Sequence, residues 1–217
     1  MPRHARLRLP GYPLHVIQRG HNRACCFRAA NDFATYLGLL EESCDLYECN
    51  VHAYVLMPNH VHLLVTPEEP ENISQAMRRL GQRYVQHFNK AHGRTGAMWE
   101  GRFKSIPVDS RLYLLKCQRY IEQNPLRARL VEHPRDYPWS SYRYNAEGWP
   151  STLVRPHAIF REMVGDDGRF IDSYRDFLRE APDEEELGTI RKGATYGGAS
   201  PGCVPGVRPR VRRPSPS

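Results

Sequence analysis

No apolar run in this 217-residue sequence approaches the roughly 20 residues that a membrane-crossing helix requires. The N-terminus carries no hydrophobic signal core either, so the expected location is the cytoplasm, on the nucleoid when DNA is bound. C-x-x-C pairs are also lacking. The six cysteines (Cys25, Cys26, Cys44, Cys49, Cys117 and Cys203) are scattered, and the adjacent Cys25-Cys26 suits neither a zinc knuckle nor a simple disulfide frame. They read as small hydrophobes in a reducing compartment. Internal repeats are absent. Acidic residues stop at Glu186, whereas Arg191, Lys192, Arg208, Arg210, Arg212 and Arg213 follow it.

What is present is enough apolar material for a core, 40% of residues, and a formal net charge of +7. A basic excess favours polyanionic partners, nucleic acid first among them, although it is also compatible with mere solubility. The run from Leu14 to Ile17 reads as a strand, and Gly20-His21-Asn22-Arg23 as a loop. From Asn31, a candidate N-cap, apolar residues recur at helical spacing as far as Tyr47. Val51 to Met57 and His60 to Val65 form a hairpin pattern around Pro58-Asn59. Asn72 to Asn89 is a second helix, and a short strand lies near Lys104 to Val108. A third helix, capped by Asp109 or Ser110, runs to about Gln123, where Pro125 stops it. The order β-α-β-β-α-β-α predicts an α+β, ferredoxin-like sandwich: one antiparallel sheet with the helices packed on one face. The expected layout is a main domain over 9–134 and a helical extension over 135–192. That extension includes helices at Ile171 to Leu178 and Glu184 to Arg191. A basic, disordered Gly/Pro/Ser/Arg-rich tail follows over 193–217.

Two clusters carry chemistry. In a strand, residues two apart share a face, so His60 and His62 project together and can share a divalent ion such as Mn²⁺, or Mg²⁺ aided by waters. Two structural histidines in a half-buried strand would show the same spacing. A histidine-triad hydrolase would need a third histidine at position 64, where Leu64 stands. Tyr120 and Asn124 lie four apart near the end of the third helix, hence on one face. A phenol ionises near pH ~10 and needs a cation or base to become a nucleophile. Asn124 offers a carbonyl oxygen as a third, neutral metal ligand. Either residue would also fit packing and a helix-ending turn.

The chain resembles the REP-associated tyrosine transposases, a branch of the HUH single-strand transposases with one catalytic tyrosine. The likeness is carried by His15-Val16-Ile17-Gln18-Arg19-Gly20-His21-Asn22-Arg23 and by His52 through Leu64, which contains Met57-Pro58-Asn59-His60-Val61-His62. It continues in Trp99-Glu100-Gly101-Arg102-Phe103-Lys104, in Arg119-Tyr120-Ile121-Glu122-Gln123-Asn124-Pro125-Leu126-Arg127-Ala128 and in Pro138-Trp139-Ser140-Ser141-Tyr142. The resemblance implies an HUH fold in which His60 and His62 hold a divalent metal that Asn124 completes. Tyr120 would then be the nucleophile that forms a 5′-phosphotyrosine and frees a 3′-hydroxyl. It also implies a hairpin substrate with a single-stranded flank, handled by a monomer or a homodimer.

Arg19, Arg23, Arg102 and Lys104 fall in loops beside the expected sheet edge, where they could grip phosphates or read a base edge. Trp99 and Phe103 offer stacking surfaces or core, and Trp139 and Tyr142 are assigned to packing. Two rivals share these residues. A noncatalytic nucleic-acid-binding protein would bind hairpins without regard to metal, and a metal-dependent hydrolase would use water in place of the tyrosine.

Overall fold

Leu14, Val16 and Ile17 give Leu14–Arg19 a short apolar, partly β-branched run, and in the computed structural model, which describes residues 10–108, 110–164 and 170–179, this segment forms β1. The hairpin pattern becomes β2 (Cys49–Met57) and β3 (His60–Pro67), turning at Pro58-Asn59. β4 (Lys104–Pro107) completes a four-stranded sheet of order β2-β3-β1-β4, antiparallel throughout. The three expected helices are α1 (Ala30–Leu46), α2 (Asn72–Ala91) and α3 (Arg111–Glu122). The element order and the ferredoxin-like strand order agree with the sequence reading.

The helices do not all pack on one face, and this corrects the expectation. Side chains alternate across a strand, so the strand residues a helix covers reveal its side. α1 and α2 pack with Val16, Leu56, Val61, Leu63 and Val65, whereas α3 packs with Ala53, Val55, Met57 and Leu64. The central strands are therefore sandwiched, and all six residues of β1 are buried. A bulge helps β2 serve both sides. Val51 pairs with Val65 but Ala53 pairs with Leu64, leaving His52 as the extra residue. Val51 thus joins the α1–α2 core and Ala53 the α3 core.

Local signals at the helix ends are partly displaced. The N-cap of α1 is Ala29, not Asn31, because the Asp32 carboxylate reaches back to accept the N–H groups of Arg28 (2.8 Å) and Ala29 (2.9 Å). α3 is capped by Ser110, whose Oγ accepts from the Tyr113 N–H at 3.1 Å. Pro125 ends α3 but permits one further turn, α4 (Asn124–Arg127), since proline is tolerated at the start of a helix.

Beyond it, α5 (Tyr142–Glu147), α6 (Ala158–Val164) and α7 (Phe170–Arg179) follow. The fully buried Glu122 carboxyl ties this piece to α3. It accepts from Ser141 Oγ (2.5 Å), Asn145 Nδ2 (2.6 Å) and Tyr174 Oη (2.5 Å), and burial holds its pKa above the usual carboxylate range. The helix expected at Glu184 to Arg191 and the basic tail lie outside the described residues. Cys26, Cys44, Cys49 and Cys117 are buried free thiols, as expected of small hydrophobes, while Cys25 is instead disulfide-bonded. Among the described residues no helix is long and apolar enough to cross a membrane.

Candidate active site

The face of the sheet beneath α3 is where the chemistry-bearing residues gather. The antiparallel register sets His60 opposite Arg19, His62 opposite Ile17, and Leu64 opposite His15. His15, Arg19, His60 and His62 therefore share one face, the one on which α3 lies. The His60 and His62 rings meet edge to face with centroids 4.9 Å apart. Tyr120, near the C-terminal end of α3, sets its ring 5.7 Å from that of His62 and 6.2 Å from that of His15. The imidazole pair and the phenol are thus brought together within a single chain. Tyr120 keeps 9% of its surface exposed, so it is packed but not sealed.

Burial keeps these imidazoles neutral. The pKa of His60 is pushed down to about 3 by desolvation and, secondarily, by the Arg19 guanidinium. His15 is lowered to about 3 by burial alone, and His62 lies well below the ordinary value, first through desolvation and then through His60, His15, Arg127 and Arg19. Neutral imidazoles at neutral pH carry lone pairs that a cation can use. The hydrogen bonds say which nitrogen is spoken for. His60 Nδ1 lies 2.6 Å from Asn59 Oδ1, and His62 Nδ1 lies 2.9 Å from His15 Nε2. Both Nδ1 atoms are engaged, which leaves the Nε2 side of each ring to face a ligand. His15 is not a third ligand in this arrangement, because its Nε2 is turned to His62. Among the described residues no group of three His, Cys, Asp or Glu side chains could cage an ion. Two imidazoles with an open remainder fit a divalent ion that keeps water and takes substrate oxygens, not a closed structural zinc.

Asn124 opens α4, one turn beyond Tyr120, and is half-buried. Among the described residues its amide makes no hydrogen bond to either imidazole, so the structure joins three of the four expected catalytic and metal residues by contact. Arg127, which the sequence reading passed over, completes the surroundings of the phenol. Its guanidinium carbon lies 4.0 Å from the Tyr120 ring centre, and Nη2 donates to the Tyr120 carbonyl at 2.6 Å. Arg127 stands seven residues beyond Tyr120, close to the same face on a helical projection, and the α4 turn carries it against the phenol. His15 was legible in principle: it alternates with Arg19 along one strand, and the register supplies from β1 the third imidazole that position 64 lacks.

The four cations expected to meet DNA divide into two kinds. Arg19 is the last residue of β1, not a loop residue, and is buried beside the imidazoles. Arg23, Arg102 and Lys104 are exposed, Arg23 in a turn at His21–Arg23 and Lys104 at the start of the edge strand β4. Trp99 and Phe103 go to the core: Phe103 is buried, and Trp99 packs within 6.3 Å of Tyr36 and 6.1 Å of Tyr84, centre to centre. Trp139 stacks on Phe33 at 4.7 Å and Tyr142 is buried, as packing residues.

Comparison with known proteins bears on the fold and the family. A Haemophilus influenzae protein named as a REP-associated tyrosine transposase is 25% identical over 112 residues, which are 47% of this chain and 64% of that protein. The chain therefore spans just under two thirds of that relative's length. The solved structure of a REP-associated tyrosine transposase bound to a REP hairpin shares the fold, with a TM-score of 0.57 and 19% identity, covering 73% of this chain and 96% of that one. The family model described as "Transposase IS200 like" matches residues 10–124. That span is more than half of the sequence and contains the histidine pair, the tyrosine and Asn124; the chain belongs to the IS200-like transposase family.

Proposed function

We propose that the protein nicks and rejoins single-stranded DNA beside a hairpin, with Tyr120 as nucleophile. The observation that carries this reading is the approach of the Tyr120 ring to within 5.7 Å of His62, on the one sheet face where His60 and His62 stand side by side. The phenol oxygen attacks a backbone phosphorus, the bond to the 3′-oxygen breaks, and that oxygen takes up a proton. The products are a 5′-phosphotyrosine and a free 3′-hydroxyl. The phosphodiester energy stays in the link, so another 3′-hydroxyl can reverse the step and reseal without ATP. Water as nucleophile would end at hydrolysis.

His60 and His62, with Asn124 as a neutral third ligand, would hold Mg²⁺ or Mn²⁺, which polarises the scissile phosphate when bound. Arg127, over the face of Tyr120, places positive charge where a phenolate forms. Arg19 brings a second cation, this one buried, to the phosphate, and Arg23, Arg102 and Lys104 engage the flanking backbone. Tyr120 meets the histidine pair within one chain, so we read the site as acting in cis, in a monomer or in each half of a dimer.

The test is to incubate the chain with labelled DNA hairpins bearing single-stranded flanks, with Mn²⁺ or Mg²⁺, and to look for a covalent protein–DNA band. Tyr120→Phe should lose the band while retaining hairpin binding, and His60→Ala with His62→Ala should lose cleavage and metal dependence together. Adducts formed by Tyr120→Phe would remove Tyr120 from its role. Cleavage that persists in that variant and leaves a free 5′ end would point to a water-using hydrolase instead. Hairpin binding without nicking under either ion would leave only a binding protein.

A further inference from the structure

Asn59 is 1% exposed at the turn between β2 and β3, and every polar group whose partner is visible has a different task. Its carbonyl accepts from the Gly20 N–H at 2.9 Å. Its side-chain Nδ2 donates to the Arg23 carbonyl at 3.3 Å. Its Oδ1 faces His60 Nδ1 at 2.6 Å. The second contact settles the third. An amide whose nitrogen faces a carbonyl must turn its oxygen the other way, and that oxygen can only accept. His60 Nδ1 therefore carries the proton, and the Nε2 lone pair is bare. In free imidazole either nitrogen can hold the proton, so a chain that presents Nε2 to a cation gains from fixing the choice before the cation arrives.

The other end of the same amide reaches the segment where Arg23 is exposed. Asn22 and Arg23 adopt left-handed backbone, at φ 50° and 60°. The turn is tightly closed: a Cβ on Gly20 would sit 2.2 Å from the Ala24 carbonyl oxygen and 2.8 Å from Cys26 Sγ. Any movement of this turn that carries the Arg23 carbonyl pulls on the amide that orients His60.

We propose that Asn59 is a positioning residue with two ends, one fixing His60 as the Nδ1–H tautomer with Nε2 free for a cation, the other linking that ligand to the Arg23 turn. This rests on the reading of His60 as a metal ligand, but its first half is measurable without metal. In the metal-free protein, ¹⁵N ring shifts should show His60 protonated on Nδ1, the signal being assigned by its loss in His60→Gln. Asn59→Ala should shift the ring toward the Nε2–H form and weaken Mn²⁺ binding, followed by electron paramagnetic resonance, on the order of 10- to 100-fold. Asn59→Asp separates the ends, because a carboxylate still accepts from His60 but cannot donate to the Arg23 carbonyl. It should keep the tautomer and hold Mn²⁺ within a few-fold of wild type, yet bind a synthetic DNA hairpin as poorly as Asn59→Ala does.

A wild-type tautomer in Asn59→Ala would overturn the proposal, as would an Asp variant that loses Mn²⁺ as fully as the Ala variant. Should Asn59→Ala fail to fold, the Asp variant decides alone. Unchanged hairpin binding in Asn59→Asp would sink the second end. A wild-type chain that takes up no Mn²⁺ would tell against the proposed function itself, while the metal-free ring shifts would still judge the tautomer.

Discussion

The two faces of the sheet are built on opposite terms. Under α1 and α2 the contacts are mainly apolar, with Phe27, Phe33, Tyr36, Leu40, Tyr84 and Phe88 buried to within 1% against β1–β3 beside the buried Gln18, Asp32 and Ser43. Under α3 the same sheet buries His15, Arg19 and His62, while α3 itself buries Gln118, Arg119 and Glu122. Burying polar groups costs free energy that hydrogen bonds only partly return. Stability should therefore reside mainly on the first face, and the second tolerates its polar load because the first holds the sheet. The desolvated, neutral imidazoles of the site are part of that load.

The largest expected effect breaks the first face. Phe33 is fully buried, stacked on Phe27 at 4.5 Å and on Trp139 at 4.7 Å. Phe33→Ala should cost about 3–5 kcal/mol of unfolding free energy, measured by urea titration. A loss under ~1 kcal/mol would mean that the aromatic layer is not where stability resides.

This division was only half legible in the sequence. Strand runs, helix periods and the hairpin at Pro58-Asn59 are local patterns, and they gave the element order. The face covered by α3 is not local: it depends on the register that sets His15 beside Leu64 and on the bulge at His52, neither of which periodicity encodes. For the site, the same-face argument for His60 and His62 needed only the strand period. Tyr120 is central, yet nothing in its helix alone distinguishes it from a core aromatic. His15, Asn59 and Arg127 were missed because each acts across elements. Arg19 was misread as a loop cation because the strand runs two residues further than its apolar core, carried by pairing with His60.

A medium effect sharpens the comparison by asking whether a buried imidazole away from the site carries the same cost. His52, at the bulge, donates from Nδ1 to the Arg155 carbonyl at 2.7 Å and lies 2.8 Å from Thr66 Oγ1 through Nε2. Burial lowers its pKa to about 4. A folded value below the unfolded one, about 6.5, means a contribution fully present above pH ~6.5 and lost as pH falls from there through ~4. That share reaches roughly 3 kcal/mol at the acid end. Stability measured from pH 7 to pH 4 should fall more steeply for wild type than for His52→Asn. Parallel curves would show that His52 takes up its proton without cost to the fold.

The smallest expected effect is the most telling about the second face. His15 and His62 hydrogen-bond to each other at 2.9 Å, so removing one leaves the other's buried nitrogen unsatisfied. His62→Leu alone should cost about 1–3 kcal/mol for that reason. Replacing both with leucine removes donor and acceptor together and adds apolar contact beneath α3. The double variant should unfold within about 1 kcal/mol of wild type, while Mn²⁺ binding is lost. The non-additivity is the diagnostic, since two independent structural histidines would give summed losses. A double variant as unstable as Phe33→Ala would show that the imidazoles hold the sheet together, and the contrast between the two faces would fall.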